Sequence, residues 1–113
     1  MSHITTHVLD TSIGRPAANI AVILETQSPG GSWSEVARSA TDADGRLRDW
    51  PAAKSLPTGM YRLIFDPKPY FAARKITSLY PQIVIVFEVR EAQEHYHIPL
   101  LLSPFGYSTY RGS

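Results

Sequence analysis

Three observations predict a mostly β fold, a sandwich or barrel of short strands: apolar and polar residues alternate with period two, turn residues separate these segments at short intervals, and only one stretch accommodates a helix. The 113 residues, 43% hydrophobic and 19% charged, suit one compact domain spanning 1–113. A chain of that size can bury roughly two-thirds of the surface its unfolded form exposes.

The elements follow in order. HITTHVLD is a strand, in which the pattern leaves His7 free to face solvent, and TSIGRP turns the chain. NIAVILETQ places Ile20, Val22 and Leu24 on one face before SPGGS turns again, and WSEVARSAT returns. DADG is a turn that delivers Arg46. GMYRLIFD sets Tyr61, Leu63 and Phe65 against Met60, Arg62 and Ile64, the alternation of a half-buried strand. Between Pro67 and Pro81 lies the helix candidate, YFAARKITSLY, with Phe71, Ile76 and Leu79 as its apolar stripe and Pro69 near its first turn. QIVIVFEVR is apolar on both faces and reads as a central strand. HYHIPLLLS and GYSTYRGS complete the set, and Pro99, which cannot donate to a ladder, argues for an edge position or a bulge.

Composition excludes several functions. Eleven Lys+Arg against ten Asp+Glu give a net charge of +1, so no basic stripe tracks a phosphate backbone and no nucleic-acid partner is expected. The absence of cysteine removes disulfides, thiolate metal sites and a cysteine nucleophile. MSHITTHVLD lacks a basic segment followed by an apolar core, and no apolar run approaches ~18 residues, so neither a signal peptide nor a membrane span is read and a cytoplasmic location is expected.

Candidate chemistry is sparse. His95 and His97 leave the same strand face with Cα atoms roughly 6.6 Å apart, whereas His3 and His7 share a face roughly 13 Å apart. An H-x-H pair can chelate zinc, but no third ligand stands at a telling spacing, so hydrogen-bonded or solvated strand histidines and no metal are the reading. DADGR lacks the ligand spacing of a calcium loop, and no G-x-S-x-G elbow marks a serine nucleophile. Arg46 and His7, taken singly, read as surface residues. Pattern alone yields no substrate.

THVLDTSIGRPA, TDADGR and HYHIPLLLSPFGYSTYRGS together closely resemble the 5-hydroxyisourate hydrolases, transthyretin-related enzymes of urate degradation, and the likeness extends over essentially the whole chain. The resemblance implies a transthyretin-like (prealbumin-like) two-sheet antiparallel sandwich with one short helix, assembled as a homotetramer, a dimer of dimers with active sites opening into a channel between dimers. It places the family's functional histidine in HVLD on His7, its arginine in DGR on Arg46, and its second histidine on His97 rather than His95. The diagnostic terminal tetrapeptide falls on Tyr110, Arg111, Gly112 and Ser113. Catalysis is expected from His7, Arg46, His97 and Ser113, and substrate binding from His7, Arg46, Tyr110, Arg111 and Gly112. Ser113, with its hydroxyl and a terminal carboxylate, is the expected partner of a histidine or of Arg46.

The implied reaction opens the six-membered ring of 5-hydroxyisourate, giving 2-oxo-4-hydroxy-4-carboxy-5-ureidoimidazoline. A neutral imidazole of His7 or His97 activates water and Arg46 stabilises the oxyanion, with no cofactor. The alternative is a small-molecule carrier, because carrier transthyretins share the sandwich; they do not retain His7, Arg46, His97 and the YRGS end as a set.

Overall fold

β1 (His3–Asp10) and β8 (His95–Ser103) form the spine of the molecule, lying parallel and in register from His3↔His95 to Asp10↔Leu102. The computed structural model describes residues 3–50 and 56–113; Met1, Ser2 and 51–55 of the expected 1–113 domain lie outside the described residues. β8 continues antiparallel into β9 (Gly106–Thr109). The two-residue strands β2 (Arg15–Pro16) and β5 (Arg46–Leu47) both pair antiparallel with β1, which completes a five-stranded sheet. The second sheet has the order β4 (Trp33–Ala40), β3 (Ala21–Gln27), β6 (Gly59–Asp66), β7 (Ile83–Val89), all antiparallel.

Alternation decides the layers. Ile4 and Val8 of β1 and Ile98, Leu100 and Leu102 of β8 are buried, as are Val22 and Leu24 of β3 and Tyr61, Leu63 and Phe65 of β6. These rows form one core between the sheets. Each large side chain so buried contributes about 1.5–3 kcal/mol. The rows expected for Ile20, Val22 and Leu24, and for Tyr61, Leu63 and Phe65, are therefore the ones that fill the core. The result is the transthyretin-like sandwich, with the parallel β1·β8 pair set in otherwise antiparallel sheets. None of the described helices is long and apolar enough to cross a membrane.

Three sequence expectations need correction. The helix, α1, spans Lys68–Ala73, shorter and earlier than the 70–80 stretch. Ile76 N–H reaches back to the Phe71 carbonyl and Lys75 takes φ +58°, so the chain leaves the helix before Leu79, which is 59% exposed. β7 ends its sheet rather than lying inside it; Val84 and Val86 face outward and are exposed, so the apolar outer row does not come from a neighbouring layer of the same protomer. Pro99 lies in an inner strand, paired with His7 on the β1 side. Its carbonyl accepts from the Thr109 hydroxyl at 2.7 Å, so the missing N–H falls on the β9 side, where the ladder lapses between Leu100↔Thr109 and the bridge His97↔Gly112.

Helix and sheet are joined by one polar contact in the interior. Asp10, fully buried at the end of β1, accepts from the Tyr70 hydroxyl of α1 at 2.7 Å and from the Ser12 N–H at 3.0 Å. Burial, and then the hydrogen bond to Asp10 and its charge, push the Tyr70 phenol up to about 12 against the opposing charge of Arg74. Replacing Tyr70 with Phe strips one carboxylate oxygen of its donor and should cost about 1–3 kcal/mol. Urea unfolding monitored by fluorescence reads this directly; a loss below about 0.5 kcal/mol would show that the N–H and hydroxyl of Ser12 alone satisfy Asp10.

Candidate active site

The outer face of the β1·β8 pair carries the chemistry. Thr5 and His7 on β1 and His95 and His97 on β8 follow period two, so they project on the side opposite Ile4, Val8, Tyr96 and Ile98. Register then fixes their neighbours: His3 stands beside His95, Thr5 beside His97, and His7 beside Pro99. On the other side of β1, His7 is the cross-strand partner of Arg46.

Arg46 is presented by the DADG turn. Asp42 Oδ1 accepts from the N–H groups of Asp44 and Arg46, both at 2.9 Å, while the Asp42 N–H donates to the Arg46 carbonyl at 2.9 Å. The Arg46 N–H bond above all holds the Asp42 carboxyl below its usual range against desolvation, with help from the Asp44 N–H and the charges of Arg48 and Arg46. Gly45 is required here: its φ is +74°, and a Cβ would stand 2.5 Å from the Val8 carbonyl oxygen. The loop is therefore a turn pinned flat onto β1, as the spacing implied.

A cavity of about 290 Å³ opens on this face, with His3, Thr5, Arg46, His95, His97 and Ser113 in its wall. His7 sits half-buried beside it, its Nε2 3.0 Å from the Asp44 carbonyl oxygen. A carbonyl only accepts, so Nε2 carries the proton and the lone pair of the neutral ring rests on Nδ1. The Thr5 hydroxyl, almost wholly buried, stands 2.8 Å from both His95 Nε2 and His97 Nδ1. Burial, followed by the nearby charges of His95, Arg46 and His7, lowers the pKa of His97, which favours a neutral imidazole. Among the described residues, no three His, Cys, Asp or Glu side chains gather closely enough to hold a metal ion.

The C-terminal tetrapeptide divides. Gly112 donates to the His97 carbonyl at 2.8 Å, and a Cβ on it would run into the His97 ring and meet Pro99 Cγ at 3.2 Å. Glycine thus lets the tail lie against the imidazole and brings Ser113 to the cavity. Tyr110 and Arg111 instead border a separate groove of about 580 Å³ along β7. The Arg111 guanidinium lies 4.5 Å from the Tyr96 ring centroid and donates to Glu94 at 2.9 Å and to the His95 carbonyl at 3.2 Å. Of the residues singled out by sequence, His7, Arg46, His97, Gly112 and Ser113 converge in the protomer; Tyr110 and Arg111 do not join them. Thr5 and His95 do; the H-x-H spacing had put His95 on the same face as His97, whereas no sequence signal selected Thr5. Replacing Gly112 with Ala should move the His97 ring resonances while costing under about 1 kcal/mol of stability, because Gly112 is only half-buried and the flanking Arg111 and Ser113 are exposed. Unmoved resonances in a folded variant would show that the tail does not bear on the ring.

The family model described as the HIUase/Transthyretin family matches residues 4–112. The chain is 42% identical over 111 residues to the 5-hydroxyisourate hydrolase of Salmonella dublin, covering 97% of this chain and 80% of that protein. It is similar to the structure of Klebsiella pneumoniae 5-hydroxyisourate hydrolase, with TM-score 0.85 and 37% identity over 100% of both chains. It is similar also to sea bream transthyretin in complex with thyroxine, with TM-score 0.89 and 32% identity over 96% of this chain and 93% of that one.

Proposed function

The chain belongs to the HIUase/Transthyretin family, and we propose that residues 1–113 form one cofactor-independent domain that hydrolyses 5-hydroxyisourate in urate degradation. The product is 2-oxo-4-hydroxy-4-carboxy-5-ureidoimidazoline. The observation that carries this reading is the meeting of a neutral, partly desolvated imidazole, His97, with the fixed cation of Arg46 in one cavity. A carrier needs neither group in that relation.

His97 takes a proton from water as the water oxygen bonds to the ring carbonyl carbon, and the carbonyl π electrons move onto oxygen. Arg46 faces that oxyanion with a charge that needs no reorganisation, and so binds the transition state more tightly than the ground state. The carbonyl re-forms as the ring C–N bond breaks, and His97 returns its proton to the departing nitrogen. His7, its Nε2–H engaged by Asp44, offers Nδ1 to the substrate as an acceptor. Ser113 closes the cavity beside His97, against whose ring Gly112 lies, while Arg111 secures the tail through Glu94 and Tyr96 and sets Tyr110 toward the neighbouring groove. Assembly as a homotetramer, a dimer of dimers, accounts for the exposed apolar side chains Val86, Phe105 and Tyr107, and a cytoplasmic location is part of the same proposal.

Adding the protein to freshly generated 5-hydroxyisourate should speed its ultraviolet decay well above the spontaneous rate; decay at the spontaneous rate would favour the carrier. Arg46→Lys should lower turnover by about 10²- to 10³-fold in a folded protein, since an ammonium presents its charge in another geometry. His7→Ala and His97→Ala should each remove most activity, and chelators should leave it unchanged.

The pH dependence has a definite sign. A base must be neutral to act, and the His97 pKa is displaced downward, so the acid limb of kcat/KM should inflect below the ordinary histidine value of about 6.5. Activity is retained above that point and lost as pH falls through it. An acid limb at or above about 6.5 would remove His97 from the role of base.

A further inference from the structure

We propose that the Thr5 hydroxyl joins His97 and His95 into one proton-sharing unit, accepting from His97 Nδ1–H and donating to His95 Nε2. The unit holds His97 Nε2 bare as the base and gives the charge formed there an outlet on His95. This rests on the hydrolase reading for its catalytic consequence, but not for its chemistry.

A hydroxyl owns one proton, and here it stands 2.8 Å from a ring nitrogen on each side. It can donate to only one of them, so the other bond must be donated by a ring N–H. The tautomers of the two histidines are therefore linked through Thr5. Arg46 shares the cavity with His97, and a fixed cation favours a lone pair over an N–H at the nitrogen that Thr5 leaves open. That places the His97 proton on Nδ1, directs it to Thr5 Oγ1, and turns the Thr5 proton toward His95 Nε2. His95 then carries its own proton on Nδ1.

When His97 Nε2 takes a proton from water, the ring becomes a cation in a half-buried position facing Arg46 and His7. Two transfers relieve this. The Nδ1 proton passes to Thr5 Oγ1 as the Thr5 proton passes to His95 Nε2, leaving His97 neutral and the charge on His95, whose side chain is exposed. Each bond broken is matched by one formed, and the reverse pair of transfers returns the proton for the departing nitrogen. The charged and titratable neighbours of the unit are His3 and His7 from β1, Arg46 and Arg48 at β5, Ser113 of the tail in the cavity wall, and Arg111 with its partner Glu94 beside the His95 backbone. Thr5 and His95 are thus positioning residues.

The test separates the unit from the reaction. In ¹⁵N-histidine spectra of the free protein, His97 should be chiefly the Nδ1–H tautomer, and His95 and His97 should titrate as a coupled pair, each curve showing both steps. Thr5→Val, nearly isosteric, should uncouple them, lower kcat at least about tenfold with KM little changed, and shift the acid limb; Thr5→Ser should restore all three. His95→Ala should lower kcat without adding to the Thr5→Val loss. Independent titrations in the wild type, or wild-type kcat and pH profile in folded Thr5→Val, would overturn the proposal. Should Thr5→Val fail to fold, the wild-type spectra and the Thr5→Ser kinetics decide instead. Coupled titrations in a protein that does not hydrolyse 5-hydroxyisourate would sink the hydrolase reading and leave the unit standing.

Discussion

The parallel ladder between β1 and β8 is the constraint on which the site depends. Two parallel strands cannot be joined by a hairpin; the chain between them must cross over, and here the crossover contains the whole second sheet and α1. Closing so long a loop costs entropy that only the later burial of both inner faces offsets. In return, eight consecutive pairs fix which outward residue of β1 meets which of β8. A slip of one residue would exchange faces, carrying Thr5 and His7 into the core and Ile4 and Val8 into water. The same apolar rows that hold the sheets together therefore align the polar row on the other side.

Everything else at the site is attached to that ladder from its two edges. On one edge the Asp42 turn presses Arg46 against His7, and the Trp50 indole N–H, donating to the Ile4 carbonyl at 2.8 Å, continues the attachment where β5 has ended. On the other edge the tail follows β8 in unbroken register, 100↔109 and 97↔112, yet between these pairs Pro99 offers no N–H. The gap frees Tyr110 and Arg111 from strict pairing, and Gly112 resumes contact at the point where its lack of a side chain admits the His97 ring. Arg111 can therefore serve the backbone of His95 and the ring of Tyr96 while Ser113, two residues on, reaches the cavity.

Much of this was legible from residues alone. Alternation identified the buried rows of β3 and β6 because a half-buried strand must alternate. It misplaced β7 for a physical reason: an apolar outer face reads the same whether a layer of the same chain covers it or nothing in the protomer does. The apolar stripe of Phe71, Ile76 and Leu79 runs past the end of the helix at Ala73, because the left-handed backbone at Lys75, which the stripe does not report, turns the chain away. His7, Arg46 and His97 came from resemblance rather than pattern, since a single histidine on a strand carries no role by itself. The period of two puts His95 beside His97, but the contact of both with Thr5 is out of its reach, because it depends on pairing between residues about ninety positions apart and no period within one strand reports the register of two.

Among the described residues, the cavity wall gathers His3, His95, His97, Arg46 and Arg48 with no Asp or Glu side chain beside them, and its electrostatics follow from that. Burial first, and then the nearby charges of His95, Arg46 and His7, lower the His97 pKa, and the charge of Arg46 also favours an anion in the cavity. One group thus meets two opposed requirements, keeping the base unprotonated before attack and stabilising the oxyanion after it. The conflict comes at the moment the proton moves, when the imidazolium of His97 would face Arg46 directly. In water a mobile counterion would relieve that; in a partly desolvated cavity relief must be built in, either by the oxyanion itself, which forms within the same step, or by moving the charge along a hydrogen-bonded path. The oxyanion lasts only as long as the tetrahedral intermediate. A fixed path through the buried hydroxyl to an exposed imidazole persists after it collapses, and that persistence is what a protein dipole offers over a transient one.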